Sequence, residues 1–129
     1  MKYALRHPML ALLLLLTASL SHAEITIEIS QGVDNPIPVA VVPFAVVAAT
    51  FVPEDIAQIV GNDLTRSGQF SALQRSEMLG RPSREADVFY RDWQAVGSEY
   101  LVIGSVTQRG PDRWEIAFQL HDVKRGEKL

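Results

Sequence analysis

Tyr100-Leu101-Val102-Ile103-Gly104-Ser105-Val106 is the most hydrophobic run in the body of this 129-residue chain, and it reads as a central strand. The turn-rich segment Gln108-Arg109-Gly110-Pro111-Asp112-Arg113 follows it. Beyond the turn, Trp114, Ile116, Phe118 and Leu120 alternate with Glu115, Ala117, Gln119 and His121. Together the two runs predict an antiparallel hairpin with one exposed face. Lys124 to Lys128, with Gly126, forms a second polar turn after which another strand is expected, although the chain stops at Leu129.

Upstream, Pro38 to Phe44 (Pro-Val-Ala-Val-Val-Pro-Phe) is a short β-branched run that reads as a buried strand ended by Pro43. Ala45 to Phe51 is apolar without a clear period and is expected to be a loop folded onto the core; the alternative is an apolar patch made for a partner. Val52-Pro53-Glu54-Asp55 opens a helix, with Pro53 suited to its first turn and both acids complementing the positive end of its dipole. Ile56, Ile59, Val60 and Leu64 follow at helical spacing, and Gly68 is a natural stop. Gln69 to Gln74 predicts a short strand with Phe70 as a core contact, and Arg75 to Glu85 a polar connection. Asp87 to Val96 predicts a second helix that buries Val88, Phe89, Trp93 and Val96 and ends at Gly97. The resulting order of elements implies an α/β fold, a mixed sheet with two helices packed against it in a single small domain.

Ahead of this body lies Glu24 to Asn35. Ile25, Ile27 and Ile29 alternate with Glu24, Thr26, Glu28 and Ser30 at the period of a strand, until Gln31-Gly32-Val33-Asp34-Asn35-Pro36 breaks the run. Burying three Ile side chains contributes about 1.5–3 kcal/mol each, and backbone hydrogen bonds a further ~0.5–1.5 kcal/mol apiece. Ordering roughly seven residues costs about 1–2 kcal/mol per residue, so the balance lies near zero. Such a strand is either the first strand of the sheet or one that can be lent to a partner.

Residues 1–23 read as a secretory signal peptide. Lys2 and Arg6 give a positive start, Met9 to Leu16 an apolar Leu/Ala run, and Ser21-His22-Ala23 small residues where a signal peptidase cuts, with cleavage expected after Ala23. The apolar run is shorter than the ~20 residues needed to span a bilayer, so no membrane insertion is expected after cleavage. The processed protein is expected to be soluble and exported.

Composition removes several function classes. The chain is 47% hydrophobic and 21% charged, which is globular. It has no Cys, hence no disulfide, thiolate ligand, thiol nucleophile or lipidated amino-terminal Cys. Removing residues 1–23, with two bases and no acid, leaves ten bases against fifteen acids, a net charge of −5 that argues against nucleic acid as a partner. His121 is the single His after the leader, so one chain cannot build a two-His metal site. Asp122 points to the opposite face of its strand, which speaks against a Ser-His-Asp arrangement. Gly104 and Gly110 do not form a phosphate-cradling loop. No catalytic residue, metal site or cofactor is expected.

Several segments then carry a resemblance. Glu24 to Asp34 behind a signal peptide, Val39-Ala40-Val41-Val42-Pro43-Phe44, Pro53-Glu54-Asp55-Ile56 followed by Ile59-Val60, Asp63-Leu64, Arg66-Ser67-Gly68 and Phe70, then Gly97 through Val106 and Phe118-Gln119-Leu120 with Asp122 keep their order and spacing. In this the chain resembles the TolB family of periplasmic Tol-Pal proteins. The resemblance implies an amino-terminal α/β domain, over residues 36–129, that precedes a β-propeller in the family. It implies that Glu24, Ile25, Thr26, Ile27, Glu28, Ile29, Ser30, Gln31, Gly32, Val33 and Asp34, within a mobile strand over residues 24–35, are captured by the inner-membrane protein TolA. The family's propeller docks the outer-membrane lipoprotein Pal. No blade repeat of ~40–45 residues is present here, so Pal binding does not carry over, and the domain itself is expected to be incomplete. The expected role is a non-enzymatic adaptor supporting outer-membrane invagination during cell division and envelope integrity. The rival expectation is a small periplasmic ligand-binding or enzymatic domain using Tyr90, Trp93 and Glu99.

Overall fold

In the computed structural model, which describes residues 34–129, six strands form one mixed sheet. They are β1 (Ile37–Val41), β2 (Ala45–Val47), β3 (Phe70–Ala72), β4 (Tyr100–Gly110), β5 (Arg113–Asp122) and β6 (Glu127–Lys128), with helices α1 (Ile56–Arg66) and α2 (Tyr90–Ala95) between them. The strand order is β3-β1-β4-β5-β6, and β2 pairs with β4 beyond the end of β1. β1 runs parallel to β3 and β4, and β2 parallel to β4; β4–β5 and β5–β6 are antiparallel. The α/β expectation, a mixed sheet with two helices, holds. Of the strand expected over residues 24–35, residues 24–33 lie outside the described residues, as does the signal peptide, and Asp34 and Asn35 form a bend.

The unbroken apolar character of β1 and β4 follows from burial on both faces. Ala40, Val42, Leu101 and Ile103 point to one side, where Val88, Trp93 and Val123 complete a core with Leu73, Met78, Tyr90 and Val96 around it. Val39, Val41 and Val102 point to the other side, against Ala57 of α1, with Phe44, Val60, Leu64, Phe70 and Tyr100 around them. Small residues let α1 sit close: a methyl added at Gly61 would meet the Ala72 side chain at 3.7 Å.

The ends of α1 are set by local chemistry. The Asp55 carboxylate accepts the Gln58 backbone N–H (3.0 Å), satisfying one of the first-turn donors. Asp55 therefore caps the helix, and Pro53 and Glu54 lie ahead of it rather than in its first turn. Gly68 follows the cap residue Ser67 with φ +74°, the left-handed stop its position predicts. Gly97 does the same after α2, with φ +78°.

Three expectations are corrected. Ala45 to Phe51 is not all loop, because residues 45–47 form β2 against Ser105 to Thr107. The second helix is shorter than Asp87 to Val96: a 3₁₀ turn at Glu85–Asp87 precedes it, and Phe89 is the extended residue before its first turn. Phe89 is consequently 67% exposed instead of buried, whereas Val88 and Trp93 are in the core. On β5 burial does not follow the alternation, and Glu115 and Ala117 are exposed along with the apolar face. His121, beside Leu101, is wholly buried, while Ile116 and Phe118 on the apolar face are 46% and 70% exposed.

Candidate functional site

The bare face of β5 is one wall of an apolar groove. α1 covers the β1–β3 half of its side of the sheet, and its residues Ile56, Val60 and Leu64 form the opposite wall. Between them the floor is Tyr100 and Val102, with Phe44 at one end and Leu129 at the other, enclosing about 710 Å³. Opposite Phe118 on β4 stands Gly104, whose bare backbone lets the Phe44 ring lie close. Beside the groove, most of the outer edge of β5 is unpaired among the described residues. β6 pairs only with His121 and Asp122, and the Leu129 N–H donates to the Leu120 carbonyl (2.9 Å). From Arg113 to Gln119 no described strand lies on that edge. An open edge beside an apolar face is a surface that can take another chain segment.

The chemistry-bearing residues behave as structural groups. His121 is buried and joined to Tyr90 through Nδ1 (2.8 Å), with its Nε2 3.3 Å from the Gln119 amide oxygen. Burial pushes its imidazole below the ordinary histidine value. Burial likewise raises the Tyr90 phenol, with Glu85 and Glu127 adding to the effect. The rival trio does not gather: Trp93 is in the core, Tyr90 serves His121, and Glu99 is exposed, its backbone joining Pro38 and Val123. Asp55 is paired with Arg75 (2.7 Å), which holds its carboxyl below the usual range. No group of three or more His, Cys, Asp or Glu residues suited to a metal occurs among the described residues. No helix of the described residues is long and apolar enough to cross a membrane. Of the expected partner-binding residues only Asp34 falls within the described part, as an exposed bend residue.

The amino-terminal domain model of TolB matches residues 25–129. The chain belongs to the TolB family. A Tol-Pal system protein TolB of Marinomonas sp. is 48% identical over 109 residues, covering 84% of this chain and 25% of that protein. That of Nitrosococcus oceani is 43% identical over 122 residues, covering 94% of this chain and 28% of that protein. The chain thus spans about a quarter of the length of these TolB relatives. The crystal structure of TolB from Acinetobacter baumannii superposes with a TM-score of 0.58 at 28% identity, over 77% of this chain and 23% of that one. The LpoB C-terminal domain from Salmonella enterica shares the fold alone, with a TM-score of 0.53 at 16% identity over 76% of this chain and 82% of that one. TolB membership places the chain in the Tol-Pal system. Its match begins at Ile25, so the alternating Ile25, Ile27 and Ile29 belong to the family's domain.

Proposed function

We propose that this chain supplies the partner-capturing front of a periplasmic TolB adaptor and carries out no catalysis. The observation that supports this most is the TolB match from Ile25 to the end of the chain, which takes in the alternating strand before β1. After export and cleavage behind Ala23, the segment Glu24 to Asp34 is donated to TolA by β-augmentation. Main-chain hydrogen bonds give affinity in that mode, and the face formed by Ile25, Ile27 and Ile29 gives selectivity. Because ordering the strand costs about what its burial returns, it changes readily between hidden and presented states. Through this capture the chain supports outer-membrane invagination in cell division and envelope integrity. Pal belongs to the propeller of longer family members and not to these residues. The polar groups of the body fit a non-enzymatic role, since His121, Tyr90 and Asp55 are each used in packing or capping.

The test is a pull-down of TolA with the processed protein and with the same protein lacking Glu24 to Ser30. The reading expects capture by the first and none by the second. Undiminished capture by the shortened protein, with its circular dichroism unchanged, would overturn it.

A further inference from the structure

The β5–β6 turn and β6 form an arm, residues 124–129, that flanks one buried titratable side chain. His121 is paired with Lys128 of the arm and has no exposed surface. The Tyr90 ring lies over Gly126, where an added methyl would come within 3.6 Å of Cδ2. Lys128 Nζ meets Glu85 Oε2 at 2.7 Å, tying β6 to the 3₁₀ turn ahead of α2. At the root of the arm, the Asp122 carbonyl accepts the Gly126 N–H and its carboxylate the Arg125 N–H.

Burial favours the neutral imidazole, and the contacts suit it: Tyr90 Oη donates to Nδ1 while the ring proton sits on Nε2, aimed at Gln119 Oε1. A second proton must go to Nδ1, where it meets the phenol oxygen and turns the Tyr90 hydrogen away. It also places a full charge in a site closed to water, which is costly unless a counter-charge is at hand. The charged and titratable groups facing this site are Glu85 before α2, Tyr90 on α2, and Glu127 and Lys128 on β6; across β4 stands the apolar Leu101. Glu85 is the carboxylate whose charge acts on His121, and Lys128 already holds it. A protonated His121 is also repelled by Lys128, its neighbour on β6, and opening the arm removes that charge, frees Glu85 and lets water reach the ring.

We propose that His121 is a proton-operated lock on the arm: neutral, it keeps residues 124–129 closed against α2, and protonated, it releases them and bares the last stretch of the β5 edge. The burial that lowers the imidazole's proton affinity gives the sign. A histidine held neutral in the closed state supports closure above its ordinary value near 6.5, and that support is lost as the pH falls below it.

The experiment follows the full chain by NMR from about pH 8 to about pH 4.5, a range spanning histidine titration. The His121 ring resonance, assigned by its loss in His121→Gln, is read together with amide protection. The expected result is a midpoint below the ordinary histidine value. Between the ordinary value and that midpoint, protection at Gly126 and Leu129 should fall roughly five- to tenfold per pH unit. Val42 and Leu73, whose N–H groups bond Val102 and Val39 in the sheet, should keep theirs. His121→Gln removes the step, and Tyr90→Phe, which deletes the donor to Nδ1, raises the midpoint. The proposal is overturned if His121 titrates at or above the ordinary value or if the arm loses protection in step with Val42 and Leu73. It is also overturned if Tyr90→Phe leaves the midpoint unmoved. Should His121→Gln fail to fold, the parent titration and Tyr90→Phe still decide.

Discussion

Gly104→Ala is the most informative single change in the sheet. Gly104 is buried in the middle of β4, and its backbone needs no glycine-only dihedral. The constraint is space. An added Cβ would stand 2.5 Å from the Ala117 carbonyl oxygen and 2.9 Å from the Phe44 ring, against an ordinary contact of about 3.5–4.0 Å. The ring can turn aside, but the Ala117 carbonyl belongs to β5, whose ladder pairs Ser105 with Ala117 and Gly104 with Phe118. Relief therefore requires the β4–β5 ladder to spread. Inserting a methyl into a packed site costs about 1–3 kcal/mol, and the stiffer unfolded chain returns about 0.4–1 kcal/mol. Because the obstacle is backbone, the upper part of the range applies, a net loss of about 2 kcal/mol. For a domain of this size that lowers the Tm by roughly 8–16 °C. Urea unfolding followed by the fluorescence of Trp93 and Trp114 gives the free energy, and a thermal scan gives the Tm. Phe44→Leu combined with Gly104→Ala separates the two contacts: it removes the ring but not the carbonyl, so stability should not return. A Gly104→Ala chain within about 0.5 kcal/mol of the parent, the spread of a neutral surface change, would refute the packing argument, as would rescue by Phe44→Leu.

Two further outcomes follow from the same contacts. Asp55→Ala removes the α1 cap and should cost about 0.5–2 kcal/mol in urea unfolding; the exposed Arg75 pair adds little. Since the folded Asp55 carboxyl is lowered from 3.8, its contribution is fully present above that value and fades as pH falls through the lower folded one, so the variant's acid limb should be flatter. Phe118→Ser, at a side chain 70% exposed, should leave stability within about 0.5 kcal/mol while reducing fluorescence of a bound apolar dye, because it thins the groove wall without touching the core.

How far the sequence revealed this fold depends on how local each cause is. The runs at Pro38 to Phe44 and Tyr100 to Val106 are legible because both faces of β1 and β4 are buried, which leaves an unbroken apolar signal. α1 is legible because Asp55 and Gly68 carry its ends in their own chemistry. β2 is not, since three residues hold no period and their pairing with Ser105 to Thr107 is distant in sequence. Phe89 fits a helical face with Trp93 and Val96 on paper, but the extended residue before α2 breaks the phase and turns it outward. On β5, alternation states that two faces differ and not which one is covered. α2 and its flanking loop cover the side that holds His121, and α1 stops short of the side that holds Phe118. Of the candidate site, the alternating isoleucines are legible in sequence alone, and the groove is not, because it is made by what α1 leaves uncovered.

That incomplete cover has a definite shape. Adjacent strands lie about 4.8 Å apart, so the bare β4–β5 half of this face is about 10 Å wide, the diameter of one helix. α1 of a second copy cannot fill it: the side of α1 turned to solvent carries Gln58, Asn62, Asp63 and Arg66, and only Ile59 among them is apolar. Seating that side on Ile116 and Phe118 would strip water from the Asp63–Arg66 pair without a replacement partner, and an ion pair moved out of water loses more in solvation than a short N···O contact restores. Charge on α1 thus keeps that helix of a second copy out of the groove, while the apolar residues lining it stay continuous with the core through Val102 and Tyr100.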